Sequence, residues 1–218
     1  MKTLHILSIS AATVLFQLGT AISFSEQEDA NSYTHKLLAA NKHFQQSEKT
    51  MVMLRTWDEA YEKANALVKQ MSLEQKVNIT TGLGWEAGPC VGNSGRTTSP
   101  DFPELCLQDS PLGVRFADHV SSGVAGINAA ASFDKKAIRR RGEYMGAEFR
   151  AKGAHAQLGP SMNMMRCPES GRNWEAFGED PFLVGVASVE TINGIQSQGV
   201  MAVAKHLIGN EQETNRQI

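Results

Sequence analysis

The sequence predicts an α/β fold with a parallel sheet. Two observations carry this. Three short apolar segments, near residues 105–107, 154–158 and 200–204, have strand length, and two amphipathic segments, near 135–152 and 183–198, have helix length. The two kinds alternate, and strand–helix–strand alternation is the pattern of parallel strands joined by crossover helices. A third observation concerns position: each strand ends in polar residues, where parallel α/β folds bind ligands.

The elements follow in order. Residues 1–23 form a secretory signal peptide by pattern: Lys2, an apolar run over 4–18 broken by polar residues, then Ala21-Ile22-Ser23 as a small-x-small cleavage site. Residues 24–55 are a polar leader, with a short helix expected near 37–44. The ordered domain is expected over 56–218. Thr56 with Glu59, and Ser72 with Gln75, are capping boxes that start two helices. Trp57, Tyr61, Ala64, Val68 and Met71 share one face of the first, expected to point inward. Glycines punctuate a long loop over 82–103. Asp134 caps the 135–152 helix, which turns Ile138, Met145 and Phe149 inward. The helix near 183–198 is expected to bury Val186, Val189, Ile192 and Ile195.

With 21 Lys+Arg against 23 Asp+Glu, the net charge of −2 supplies no basic field for nucleic acid or anionic lipid. Export makes a Cys90–Cys106 disulfide the expected staple of the glycine-rich loop. Cys167 is then either buried and reduced or paired outside the chain. Asn78-Ile79-Thr80 is an N-glycosylation sequon. No CxxC or HExxH spacing is present, so neither a metal nor another cofactor is expected.

Asp109 ends the first strand, Arg166 and Arg172 lie in the loop after the second, and Lys205 and His206 end the third. No phosphate-binding glycine motif accompanies them. Acceptor and donors together suit a neutral polyhydroxylated ligand, because each sugar hydroxyl both donates and accepts.

Three segments resemble family 3 glycoside hydrolases: CLQDSPLGVR (106–115), QLGPSMNMMRCPESGRNWEAFGEDPFL (157–183) and VAKHLIGNEQETNR (203–216). KVNITTGLGW (76–85) resembles the start of the catalytic domain in secreted fungal β-glucosidases. The resemblance implies the N-terminal portion of a (β/α)8 TIM-like barrel. It also implies retaining hydrolysis of terminal β-D-glucosyl residues of a β-glucoside or cello-oligosaccharide. By the same resemblance Asp109 grips the outer hydroxyls of the terminal glucose, Arg166 donates in the same subsite, and Lys205 and His206 are paired hydroxyl donors. Arg115, Arg172, Asn173 and Trp174 shape loops. Gly209-Asn210-Glu211 stands where the His-dependent hexosaminidases of the family have Gly-His-Gly, which favours β-glucosidase. β-Xylosidase stays open. The resemblance places the nucleophile beyond Ile218, in a Ser-Asp-Trp-like strand end that residues 1–218 do not contain, and the acid/base in a second domain. The chain alone is therefore expected to lack catalysis, and the alternative is a non-catalytic fragment with at most weak sugar binding. Spacing supports the incomplete barrel, since the strands start roughly 45–50 residues apart where a lean β/α unit takes about 30. Glu175, Glu179 and Asp180 are expected to be loop and helix-start acids.

Overall fold

The computed structural model describes residues 55–85, 87–207, 209–211 and 215. The signal peptide, the leader up to residue 54 and its short helix lie outside the described residues. So does Ile218, the position past which the nucleophile is expected.

Both capping boxes form. Helix α1, Trp57–Val68, starts at Thr56, whose side chain accepts the Glu59 N–H while Glu59 reaches back to the Thr56 N–H. Helix α2, Leu73–Thr81, repeats the arrangement with Ser72 and Gln75. Each box satisfies two N–H groups that a helix start otherwise leaves unpaired. The inward face expected of α1 is a different matter. No α1 residue is buried, and Trp57 and Tyr61 are 79% and 62% exposed. The apolar stripe is real, but no described element covers it; only Met71, just past the helix, is buried.

The 82–103 loop contains structure too short to leave a periodic signal. Strand β1, Gly92–Asn93, pairs antiparallel with β4, Cys106–Asp109. Strands β2, Thr97–Thr98, and β3, Asp101–Phe102, form a separate hairpin. Cys90 and Cys106 are joined by a disulfide with Cα atoms 5.5 Å apart, which ties the loop to the first residue of β4. Cys167 is free and exposed, so the buried alternative does not apply.

The main sheet has the order β1-β4-β5-β6, with β5 Ala156–Leu158 and β6 Met201–Ala202. β4, β5 and β6 are parallel neighbours, in the registers Asp109↔Leu158 and Gln157↔Ala202. Helices α3, Gly126–Ala131, and α4, Lys135–Ala151, make the first crossover, and α5, Pro181–Ser197, makes the second. Asp134 and Asp180 cap α4 and α5 through their side chains. Ile138, Met145 and Phe149 are buried as the spacing predicts.

The buried face of α5 differs from the expected one. Val184, Ala187, Ser188, Thr191, Gly194 and Ile195 are buried, while Val189 is 55% exposed. α5 carries apolar residues on most of its circumference, so size decides which side packs. A Cβ on Gly142 of α4 would come within 2.6 Å of the Thr191 carbonyl oxygen, and one on Gly146 within 2.9 Å of that of Ile195. Glycines on α4 and small residues on α5 let the two backbones approach. Only Ile195 of the four expected residues is fully buried there.

Two apolar clusters result. Phe149, Val114, Ile195 and Val200 pack around the disulfide, and Ile138, Phe177, Val184 and Ala187 pack at the other end of α4 and α5. Arg141 of α4 is 3% exposed. Its Nε and Nη2 donate to the carbonyls of Val124 and Pro111 at 2.7 and 2.6 Å, tying the segment after β4 to the helix.

Candidate active-site cleft

Asp109 is the last residue of β4, and the Arg115 N–H closes the following turn on the Asp109 carbonyl at 3.2 Å. After β6 the chain stays beside the segment that follows β5. Lys205 donates its N–H to Pro160 and accepts from Met162, continuing the parallel ladder as a bridge to Ser161. Two strand ends 96 residues apart in sequence thus bring Lys205 Nζ to 2.7 Å from Asp109 Oδ1. Arg115 Nη1 lies 3.3 Å from the other carboxylate oxygen. The Asp109 and Lys205 side chains are 17% and 14% exposed, so this pair is shielded from bulk water more than a surface ion pair is.

Arg172 and Glu175 form the second charged pair. The guanidinium forks onto the carboxylate with Nε–Oε1 2.9 Å and Nη2–Oε2 2.8 Å. Glu175, in a short 3-10 helix spanning Asn173–Glu175, is 3% exposed, and burial of this kind requires such a partner. It is an interior wall of the cleft, against the expectation of a loop acid.

His206 follows Lys205 through a cis peptide bond. Its ring is half-buried, and its pKa is lowered from the ordinary value of 6.5, first by burial and then by the nearby positive charges of Arg172 and Lys205. Asp109, Lys205, His206, Arg115, Arg172 and Glu175 line one cleft of about 480 Å³, with Trp85, Val91, Leu158 and Val203 as its apolar walls.

The structure separates Arg166 from Asp109. The Arg166 side chain is 64% exposed, with Nε 3.7 Å from Glu211 Oε1. It lines an adjacent hollow of about 450 Å³ with Met162, Asn163, Met164 and Glu211, which shares Lys205 and His206 with the main cleft. The sequence carries no signal for Asn163, and for Arg172, one of the strand-end cations, the resemblance implies mainly loop shaping. The Arg-x-x-Glu spacing of Arg172 and Glu175 is the signal that would have found the pair.

Asn78 is exposed on α2, and its Nδ2 donates to the Arg96 carbonyl at 3.0 Å. Among the described residues no group of three His, Cys, Asp or Glu side chains is arranged to hold a metal ion. No described helix is long and apolar enough to cross a membrane.

Residues 122–216 match the Glycosyl hydrolase family 3 N terminal domain. This segment belongs to glycosyl hydrolase family 3. The chain is 55% identical over 165 residues to "Probable beta-glucosidase E" of Aspergillus fumigatus, covering 75% of this chain and 16% of that one. It is 54% identical over 162 residues to "Probable beta-glucosidase L" of Emericella nidulans, covering 74% and 22%. Among solved structures, the beta-D-glucoside glucohydrolase of Trichoderma reesei matches with a TM-score of 0.71 and 49% identity, over 74% of this chain and 23% of that one. Beta-glucosidase 3B of Thermotoga neapolitana, solved with α-D-glucose, matches with a TM-score of 0.65 and 32% identity, over 71% and 24%. The chain thus spans less than a quarter of the length of these relatives. The β4-α4-β5-α5-β6 array is a partial (β/α)8 TIM-like barrel, similar to the N-terminal domain of these solved structures, and the cleft lies at the carboxyl ends of its strands.

Proposed function

We propose that the chain supplies the glucose-gripping wall of a family 3 β-glucosidase that hydrolyses terminal non-reducing β-D-glucosyl residues with retention. The Asp109–Lys205 pair across two parallel strand ends carries the reading. An ionised carboxylate has roughly four acceptor sites. Lys205 and Arg115 engage one oxygen each, which leaves lone pairs for two neighbouring hydroxyls while the cations hold the carboxylate in place. Lys205 donates to the same sugar edge, and His206 stands next to it. Arg166 reaches the sugar only through the adjacent hollow, so its role in this reading is at the rim.

Retention needs two carboxyl groups about 5–5.5 Å apart, one a nucleophile and one a proton carrier. Asp109 and Glu175 are each committed to cations in the cleft. The reading therefore draws the catalytic pair from beyond Ile218, and residues 1–218 alone bind sugar without hydrolysing it. Ile218 itself, an aliphatic side chain with no group to attack or carry a proton, has no catalytic part in this reading. The pattern of residues 1–23 and the exposed Asn78 sequon support export and glycosylation. β-Xylosidase is the second reading, because contacts to the outer ring hydroxyls do not distinguish glucose from xylose.

The test is an exchange. Residues 56–218 replace the matching segment of the Trichoderma reesei enzyme, and the hybrid and the isolated chain are assayed with aryl β-glucoside and β-xyloside. The reading expects glucoside turnover by the hybrid and none by the chain. Turnover by the isolated chain, or xyloside preferred by the hybrid, contradicts it.

A further inference from the structure

Asn163, in the segment after β5, meets His206 three times. Its Oδ1 accepts the His206 main-chain N–H at 2.6 Å, and its Nδ2 donates to the His206 carbonyl at 2.7 Å. These two contacts fix which end of the carboxamide is oxygen. Turned over, it would set N–H against N–H and oxygen against oxygen. The same Oδ1 lies 3.0 Å from His206 Nδ1. A carboxamide oxygen only accepts, so this hydrogen bond forms only when Nδ1 carries a proton. A neutral imidazole protonated at Nδ1 bears its lone pair on Nε2. Burial and the charges of Arg172 and Lys205 favour that neutral ring. Among the described residues Nε2 has no hydrogen-bond partner, and His206 lines both the Asp109 cleft and the Arg166 hollow.

We propose that Asn163 is a positioning residue that fixes the tautomer of His206, so that the cleft presents an acceptor at Nε2 beside the donor Lys205 Nζ. This is the opposite polarity to the paired donors that the sequence suggests. The consequence is chemical selectivity. A hydroxyl can accept from Lys205 and donate to His206 at once, whereas a fluorine or an O-methyl oxygen in its place accepts only. The tautomer is a property of the chain itself; its use in sugar selection rests on the glucose-subsite reading above.

Nitrogen NMR of the histidine-labelled full chain near pH 7.5 tests it, with His206 assigned by the signal lost in His206→Gln. The proposal expects a protonated, pyrrole-type Nδ1 and an unprotonated, pyridine-type Nε2. Asn163→Asp, which retains the acceptor oxygen but sets a second oxygen against the His206 carbonyl and adds a charge that favours the imidazolium, is expected to keep Nδ1 protonated. Asn163→Leu, which removes the acceptor oxygen, moves the proton to Nε2 in most molecules. A wild-type His206 protonated at Nε2 overturns the proposal, as does an Asn163→Leu chain that folds and keeps the Nδ1 proton. If Asn163→Leu fails to fold, the wild-type and Asn163→Asp spectra still decide. Adding glucose is expected to shift the Nε2 resonance. No shift with the Nδ1–H tautomer intact counts against the glucose subsite and leaves the role of Asn163 standing.

Discussion

Lys205 Nζ lies 2.7 Å from Asp109 Oδ1, although 96 residues separate them in sequence. Main-chain bonding of Lys205 to Pro160 and Met162, and the β4–β5 register, make the pair possible. It therefore reports on the sheet as well as on the cleft. A double-mutant cycle with Asp109→Asn and Lys205→Met, followed by urea unfolding, is expected to give a coupling of about 1–2 kcal/mol, within the usual range for contacting charged residues. Additive effects of the two substitutions would show that the pair is open in solution.

The disulfide should be a main support of the 82–103 loop. Cys90 and Cys106 are 16 residues apart, and closing a loop of that size contributes about 3 kcal/mol in the chain-entropy account. Cys90→Ala/Cys106→Ala is expected to lower stability by about that amount, measured by urea unfolding beside the oxidised wild type. Because β1 pairs with β4 next to the bridge, hydrogen exchange at Asn93 and Leu107 should speed up as well.

Arg141 tests whether a buried cation can be purely structural. Burial lowers its pKa to about 10, and its Nε and Nη2 donate to main-chain carbonyls. Arg141→Met leaves the buried Pro111 carbonyl and the part-buried Val124 carbonyl without this donor and is expected to cost about 1–3 kcal/mol. Arg141→Lys should recover little, because a single ammonium nitrogen lacks the separated Nε and Nη2 donors that reach Val124 and Pro111. Thermal unfolding of both variants measures this, and a lysine variant as stable as wild type would refute it.

His206 gives a pH dependence with a definite sign. Its folded pKa lies below the ordinary 6.5, so between the two values the unfolded chain binds more protons. Stability from this group is present above about pH 6.5 and is lost as pH falls through the folded pKa. Burial first, then Arg172 and Lys205, push toward this result, while Glu175 and Asp109 oppose it more weakly. The urea midpoint of wild type relative to His206→Gln should therefore drop between about pH 7.5 and pH 5. A difference that stays constant or grows toward acid would reverse the assignment.

The strand ends were legible because an apolar run that stops at Asp109, or at Lys205-His206, shows both the strand and its polar terminus. The capping aspartates and the inward residues of α4 were legible for a similar reason, since a 3.6-residue period leaves one solution. α5 was not, because apolar residues occupy most of its circumference and the contact is chosen by Gly142 and Gly146 on another helix. The aim of Arg166 was not legible either. A loop side chain points where the loop turns it, and here that is toward Glu211. Asn163 had no signal of its own, because its partner becomes a neighbour only when the segments after β5 and β6 run side by side.

The grip on the terminal glucose is assigned in this proposal to Asp109 and Lys205. It is tested most directly by kcat/KM for an aryl β-glucoside in the hybrid enzyme carrying residues 56–218, with Asp109→Ala and Lys205→Ala introduced separately. A fall of at least about 100-fold is expected for Asp109→Ala, equivalent to roughly 3 kcal/mol of transition-state stabilisation, with a smaller but clear fall for Lys205→Ala. Values within about threefold of the unmodified hybrid for both variants would contradict it.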